Sequence, residues 1–141
     1  GADVALLSLN HSDMNGSETV GLGDKNPFVI KGPGEYEVKD LFIKGFGSVS
    51  RYQGSERINS IYYLVLDNIN VCFLGALSST ELSPEAREAI GEAEILFVPI
   101  GDEGVLAPSE AYQFAVKIEP KNIIPIHFGA GGQKGALKIF L

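Results

Sequence analysis

Apolar positions fall into short runs through the first half of the chain and take up helical spacing only in the second. Val4-Ala5-Leu6-Leu7 is too short for a stable helix and predicts a buried strand over 3–7. Residues 11–23 are polar and punctuated by glycine, which predicts loop with room for one helical turn. Phe28-Val29-Ile30 follows Pro27 and precedes Gly32-Pro33-Gly34, a strand closed by a turn. Apolar and polar residues then alternate through Tyr36 to Val38 and Leu41 to Ile43 around Lys39-Asp40, which predicts antiparallel pairing. Ile58 to Leu66 and Val71 to Leu74 flank Asp67-Asn68-Ile69-Asn70, whose side chains suit a hairpin turn. This half reads as a β meander.

After Gly75 the periodicity changes. Ser83-Pro84-Glu85 supplies a cap, a proline at the first helical position and an acid in the first turn, predicting a helix to about Ile90 that Gly91 ends. Ile95 to Ile100 is a strand. Ala107-Pro108-Ser109-Glu110 begins a second helix that turns Ala111, Phe114, Ala115 and Ile118 toward a core. Ile123 to Ile126 is a further strand, and 134–140 a terminal helix. Strands first and alternating helix and strand afterwards predict a layered α/β sandwich rather than an all-β barrel or a doubly wound sheet.

Composition narrows the function classes. With 141 residues and 45% hydrophobic content the chain is expected to be a single domain, 1–141, with a sizeable core. Eleven Lys and Arg against 18 Asp and Glu give a formal charge of -7, so neither nucleic acid nor a membrane surface is an expected partner. The single cysteine, Cys72, lies in an apolar run and reads as a buried structural thiol. The absence of a disulfide framework, of a run of ~20 apolar residues and of a basic leader predicts a soluble, cytoplasmic protein. The chain opens on Gly1, so a processed end or a fragment is expected.

Residues with chemistry follow strand ends, where ligand sites in α/β proteins gather. His11 and Asp13 follow the first strand, Gly75-Ala76 follow Val71 to Leu74, and His127 follows Ile123 to Ile126. These residues are expected to converge. Each also has a plainer role: His11 and His127 bonding backbone at strand ends, Asp13 capping a turn over 14–18. Gly129 to Gly135 lacks the spacing of a phosphate loop and reads as a turn. Gly101-Asp102-Glu103-Gly104 reads as a solvated loop, and Glu81, Glu85, Glu88 and Glu92 with Arg87 as a solvated helix face.

Taken in order, Ala2-Asp3-Val4 through Asp13, Pro27 through Val38, Ile61 through Gly75, Glu94 through Gly101 and Ile124-Pro125-Ile126-His127-Phe128-Gly129 resemble the metallo-β-lactamase fold. Within it they are most similar to the predicted Zn-dependent hydrolases related to ascorbate-6-phosphate lactonase. The resemblance implies an α+β fold, an αββα four-layer sandwich with metals at one edge, here without its N-terminal strands. It also implies a surface, left by those strands, that a second copy or another partner covers.

The family's His-x-His-x-Asp-His motif falls on Leu9-Asn10-His11-Ser12-Asp13-Met14, a further histidine falls near Ser50, and the bridging aspartate falls on Ala76. The last histidine is kept as His127. By this correspondence His11, Asp13 and His127 remain as metal ligands, while Leu9, Met14, Ser50 and Ala76 replace others. Two cations need several imidazoles and a bridging carboxylate to lower the pKa of a shared water, and Ala76 offers no bridge. In the family His11 serves one metal, and Asp13 with His127 the other. Leu9 and Met14 read as apolar filling of the pocket. Two functions follow as expectations. One is a degenerate, non-catalytic domain acting by binding or assembly. The other is a mononuclear hydrolase of a cyclic or phosphorylated metabolite, with zinc at partial occupancy on His11, Asp13 and His127, and Asp13 as its catalytic carboxylate.

Overall fold

A computed structural model describes residues 4–9, 27–101 and 104–126. Its elements run β1 (Val4–Leu6), β2 (Phe28–Ile30), β3 (Gly34–Val38), β4 (Leu41–Ser50), β5 (Arg57–Leu66), β6 (Ile69–Phe73), α1 (Pro84–Gly91), β7 (Ile95–Pro99), α2 (Pro108–Ile118) and β8 (Asn122–Ile126). Strands β3 to β8 form one sheet in chain order, and β1 pairs with β2 in a separate parallel sheet. The terminal helix expected over 134–140 lies outside the described residues.

The large sheet is antiparallel from β3 to β6 and parallel from β6 to β8. Two-residue turns make the tight hairpins: Lys39-Asp40 between β3 and β4, and Asp67-Asn68 between β5 and β6, all four residues at positive φ. Such turns match the right-handed twist of the strands they join. The second turn is shorter than the four-residue stretch 67–70 suggests, because Ile69 and Asn70 already pair with Leu66 and Val65. Strand β4 also runs beyond Ile43, where the strand expected from the sequence stops, to Ser50, through Gly45 and Gly47. Gly45 explains that composition. A Cβ there would meet the Gly32 carbonyl at 2.9 Å, so glycine lets the turn before β3 lie on β4.

Alternation of side chains assigns the two faces of the large sheet. Ile61, Cys72, Leu96 and Val98 face Ile90 of α1 and Ala111 of α2, with Phe114 and Ile118 packed beside them. Tyr62, Leu64, Val71, Phe73, Ile95 and Phe97 join Ile30, Ile43, Val4 and Leu6 on the side of the small sheet. Phe73 and Phe97 stack there with ring centroids 4.4 Å apart. The described layers are therefore helices, large sheet and small sheet. Helix α1 starts where the sequence places it, with the Ser83 hydroxyl accepting from Ala86 N at 3.2 Å and Pro84 at the first position. Glu81, Glu85, Glu88 and Glu92 are exposed, as a solvated face requires.

Both helices are crossovers between parallel strands, so β6, β7 and β8 end at one edge of the sheet. Pro125 lies in β8, the edge strand among the described residues, where no further described neighbour needs its missing N–H. No helix of the described residues is long and apolar enough to cross a membrane.

Candidate functional site

The site is built where β6 ends before β5 does. Strand β5 pairs with β6 only from Tyr62 to Leu66, which leaves residues 57–61 without that neighbour. The segment following β1 takes the vacated place, and Ser60 N donates to Ser8 O at 2.8 Å. Leu9 is thereby carried to the turn after β6. There it packs, 2% exposed, with Ala76, Tyr52 and Val105 in a small buried apolar cluster.

Asn59 holds the turn in place. Its Nδ2 donates to Leu74 O at 2.9 Å and to Ser48 Oγ at 3.0 Å, and its Oδ1 accepts from Ala76 N at 2.9 Å. The side chain is fully buried with both of its polar atoms bonded. Gly75 passes between these groups at φ +65°, and a Cβ on it would come within 2.6 Å of Asn59 Oδ1 and 2.5 Å of Ser8 Cβ. Both the backbone conformation and the lack of space demand glycine.

Ser50 is fully buried at the end of β4, and its hydroxyl accepts from Tyr52 N at 3.2 Å. A 3₁₀ turn over Tyr52–Gly54 follows and places the Tyr52 ring in the cluster. Ser78 ties the next layer of loops: its Oγ accepts from Arg51 N at 2.7 Å and donates to the Gly104 carbonyl. Leu106 N donates to Leu77 O at 2.9 Å, which seats Val105 beside Ala76. Tyr52, Val105 and Asn59 carry no sequence signal for a site. Only their contacts reveal them.

The structure thus brings together Leu9 and Ala76, two positions that the family resemblance aligns with metal ligands, and bonds Ser50 to Tyr52 of the same cluster. His11, Asp13, Met14 and His127 lie outside the described residues. The surrounding groups are chemically quiet. Among the described residues no three His, Cys, Asp or Glu side chains are grouped to hold a metal ion. Cys72, on the helix side of the sheet, has its thiol pushed up to about 12 by burial, which keeps it a protonated core group. The described part of the site therefore does not fit a binuclear metal centre, which needs anionic or imidazole donors where Leu9 and Ala76 present only carbon.

The description "Beta-lactamase superfamily domain" matches residues 1–127. The chain belongs to the metallo-β-lactamase superfamily. A UPF0173 protein of Pyrococcus abyssi is 28% identical over 140 residues, covering 94% of this chain and 62% of its own length. A UPF0173 protein of Pyrococcus furiosus is 30% identical over 98 residues, covering 67% of this chain and 42% of its own. The chain therefore spans less than two thirds of these relatives. The crystal structure of a candidate Zn-dependent hydrolase of the superfamily from Thermotoga maritima superimposes with a TM-score of 0.72 at 30% identity, covering 98% of this chain and 66% of that one. A metallo-β-lactamase fold protein from Bacillus subtilis gives 0.69 at 11% identity, covering 98% of this chain and 69% of its own, a likeness of fold alone. The mixed α+β architecture of this superfamily member agrees with that expected from its strand order. It is a hydrolase-like domain.

Proposed function

We propose that this superfamily domain is non-catalytic and acts by binding or assembly. The apolar cluster of Leu9, Tyr52, Ala76 and Val105 carries this reading. A carboxylate at Ala76 would stand in a buried apolar surround and cost several kcal/mol unless a cation paid it back. Carbon side chains packed against one another need no such cation. The large exposed apolar side chains Phe28, 52% exposed on β2, and Ile58, 71% exposed on β5, support assembly with a second copy of the chain. The lone buried thiol of Cys72 supports a reducing compartment, the cytoplasm.

The deciding experiment is metal analysis of undenatured protein purified without chelator, together with light scattering of the same sample. The expected result is no stoichiometric zinc or manganese and a mass above that of one chain. Stoichiometric metal that disappears in His127→Ala would overturn the non-catalytic reading in favour of a mononuclear hydrolase on His11, Asp13 and His127. A strictly monomeric mass would remove the assembly role.

A further inference from the structure

A cavity of about 460 Å³ opens beside the cluster and is lined by Ser8, Lys31, Pro33, Arg57, Ile58 and Ser60. Among the described residues its polar side chains are two cations and two hydroxyls, with no carboxylate among them. In a chain of formal charge -7 this is a local reversal of sign. Lys31 follows β2 and is exposed, whereas Arg57, the first residue of β5, is half-buried. The Nη1 of Arg57 is buried with no hydrogen-bond partner. A guanidinium keeps its charge at ordinary pH, so Arg57 together with Lys31 gives the cavity a standing positive charge.

From this we infer that the cavity binds a small molecule through a phosphate monoester group. Charge and donor count favour phosphate over carboxylate. A monoester carries a charge of roughly -1.5 to -2 at pH 7 and three strong acceptor oxygens, matching Lys31 and Arg57 in charge. The guanidinium, the ammonium and the Ser8 hydroxyl offer more donors than the two oxygens of a carboxylate take up. Pro33 and Ile58 supply an apolar wall for the organic part of the ligand. The placement is fixed by backbone: Ser60 N bonds Ser8 O, and the Gly32-Pro33 turn lies against Gly45 and Gly47 of β4. The inference names a ligand class for the binding reading and rests on it only in that the ligand is held and not cleaved.

Calorimetric titration of the intact chain with inorganic phosphate, in the presence of a chelator, tests it. Phosphate is expected to bind, and Arg57→Gln and Lys31→Gln each to weaken it by about tenfold or more. Without phosphate Arg57→Gln is expected to melt at the same temperature as the parent or higher, since it removes an unpaired buried charge. A purely structural arginine would instead lower the melting temperature. Acetate is expected to bind at least tenfold more weakly than phosphate. The inference is overturned if phosphate gives no heat, if Lys31→Gln at its exposed position leaves the affinity unchanged, or if binding vanishes with the chelator. The last outcome points to a metal and so counts against the non-catalytic reading as well, whereas the first two leave that reading standing.

Discussion

Asn59 shows how much of this site rests on one side chain. It bonds Leu74 O and Ala76 N from the neighbouring strand, and both groups are buried. In Asn59→Ala those two backbone groups lose their partners, so the variant is expected to be destabilised by about 2–4 kcal/mol, measured by urea unfolding. A change below 0.5 kcal/mol would mean that the turn finds other partners. None of this is visible in the chain itself, where Asn59 is one polar residue inside an apolar strand run. Leu9 and Ala76 are different. They stand out only against a family pattern, and the structure adds that they touch the same small cluster. The family resemblance singles these positions out; packing shows what their side chains touch.

At the level of elements, the small sheet is the part least able to stand alone. Its strands have three residues each, and a two-stranded sheet needs support from a packed face. Tyr62 supplies part of it. Its ring is fully buried and its hydroxyl donates to Leu7 O at 2.7 Å and lies 3.2 Å from Ile30 O, reaching both strands from β5. Tyr62→Phe keeps the ring and removes this tether, and is expected to cost about 1–2 kcal/mol in chemical denaturation. An unchanged midpoint would show that the apolar contacts suffice. The helices were legible because proline opens both of them, and serine and glycine bound the first. Strand β4 was not, because the glycines it needs for close approach at Gly45 are also the residues that mark loops. The separation of β1 and β2 from the large sheet was equally hidden, since run length says nothing about which strands pair.

At the scale of the molecule, the two sheets and one helical layer of the described residues place a free thiol deep in the core, and this sets behaviour in alkali. Burial pushes the Cys72 thiol up to about 12 from an ordinary 9.0. Burial likewise raises Tyr62 and Tyr63. Between those two pH values the unfolded chain has released the thiol proton while the native chain keeps it, so stability falls as pH rises through the window. Cys72→Ala is expected to flatten this decline while lowering stability at pH 7 through the cavity it leaves. Parallel alkaline slopes for parent and variant, from denaturation curves at a series of pH values, would count against it. The charge pattern is a property of the same scale: the overall balance is acidic, with a formal charge of -7, but only the fold gathers Lys31 and Arg57 at one cavity.

The replacement of β6 by the segment after β1 also orders events in time. The β3 to β6 meander joins neighbours in sequence, whereas the bond from Tyr62 to Leu7 spans 55 residues. Closing that long loop is slower than pairing adjacent strands, so the meander is expected to form before the Leu7 to Leu9 segment docks against it. Interactions formed after the rate-limiting step act on the return journey. The Tyr62→Phe loss should therefore appear as faster unfolding with little change in the folding rate.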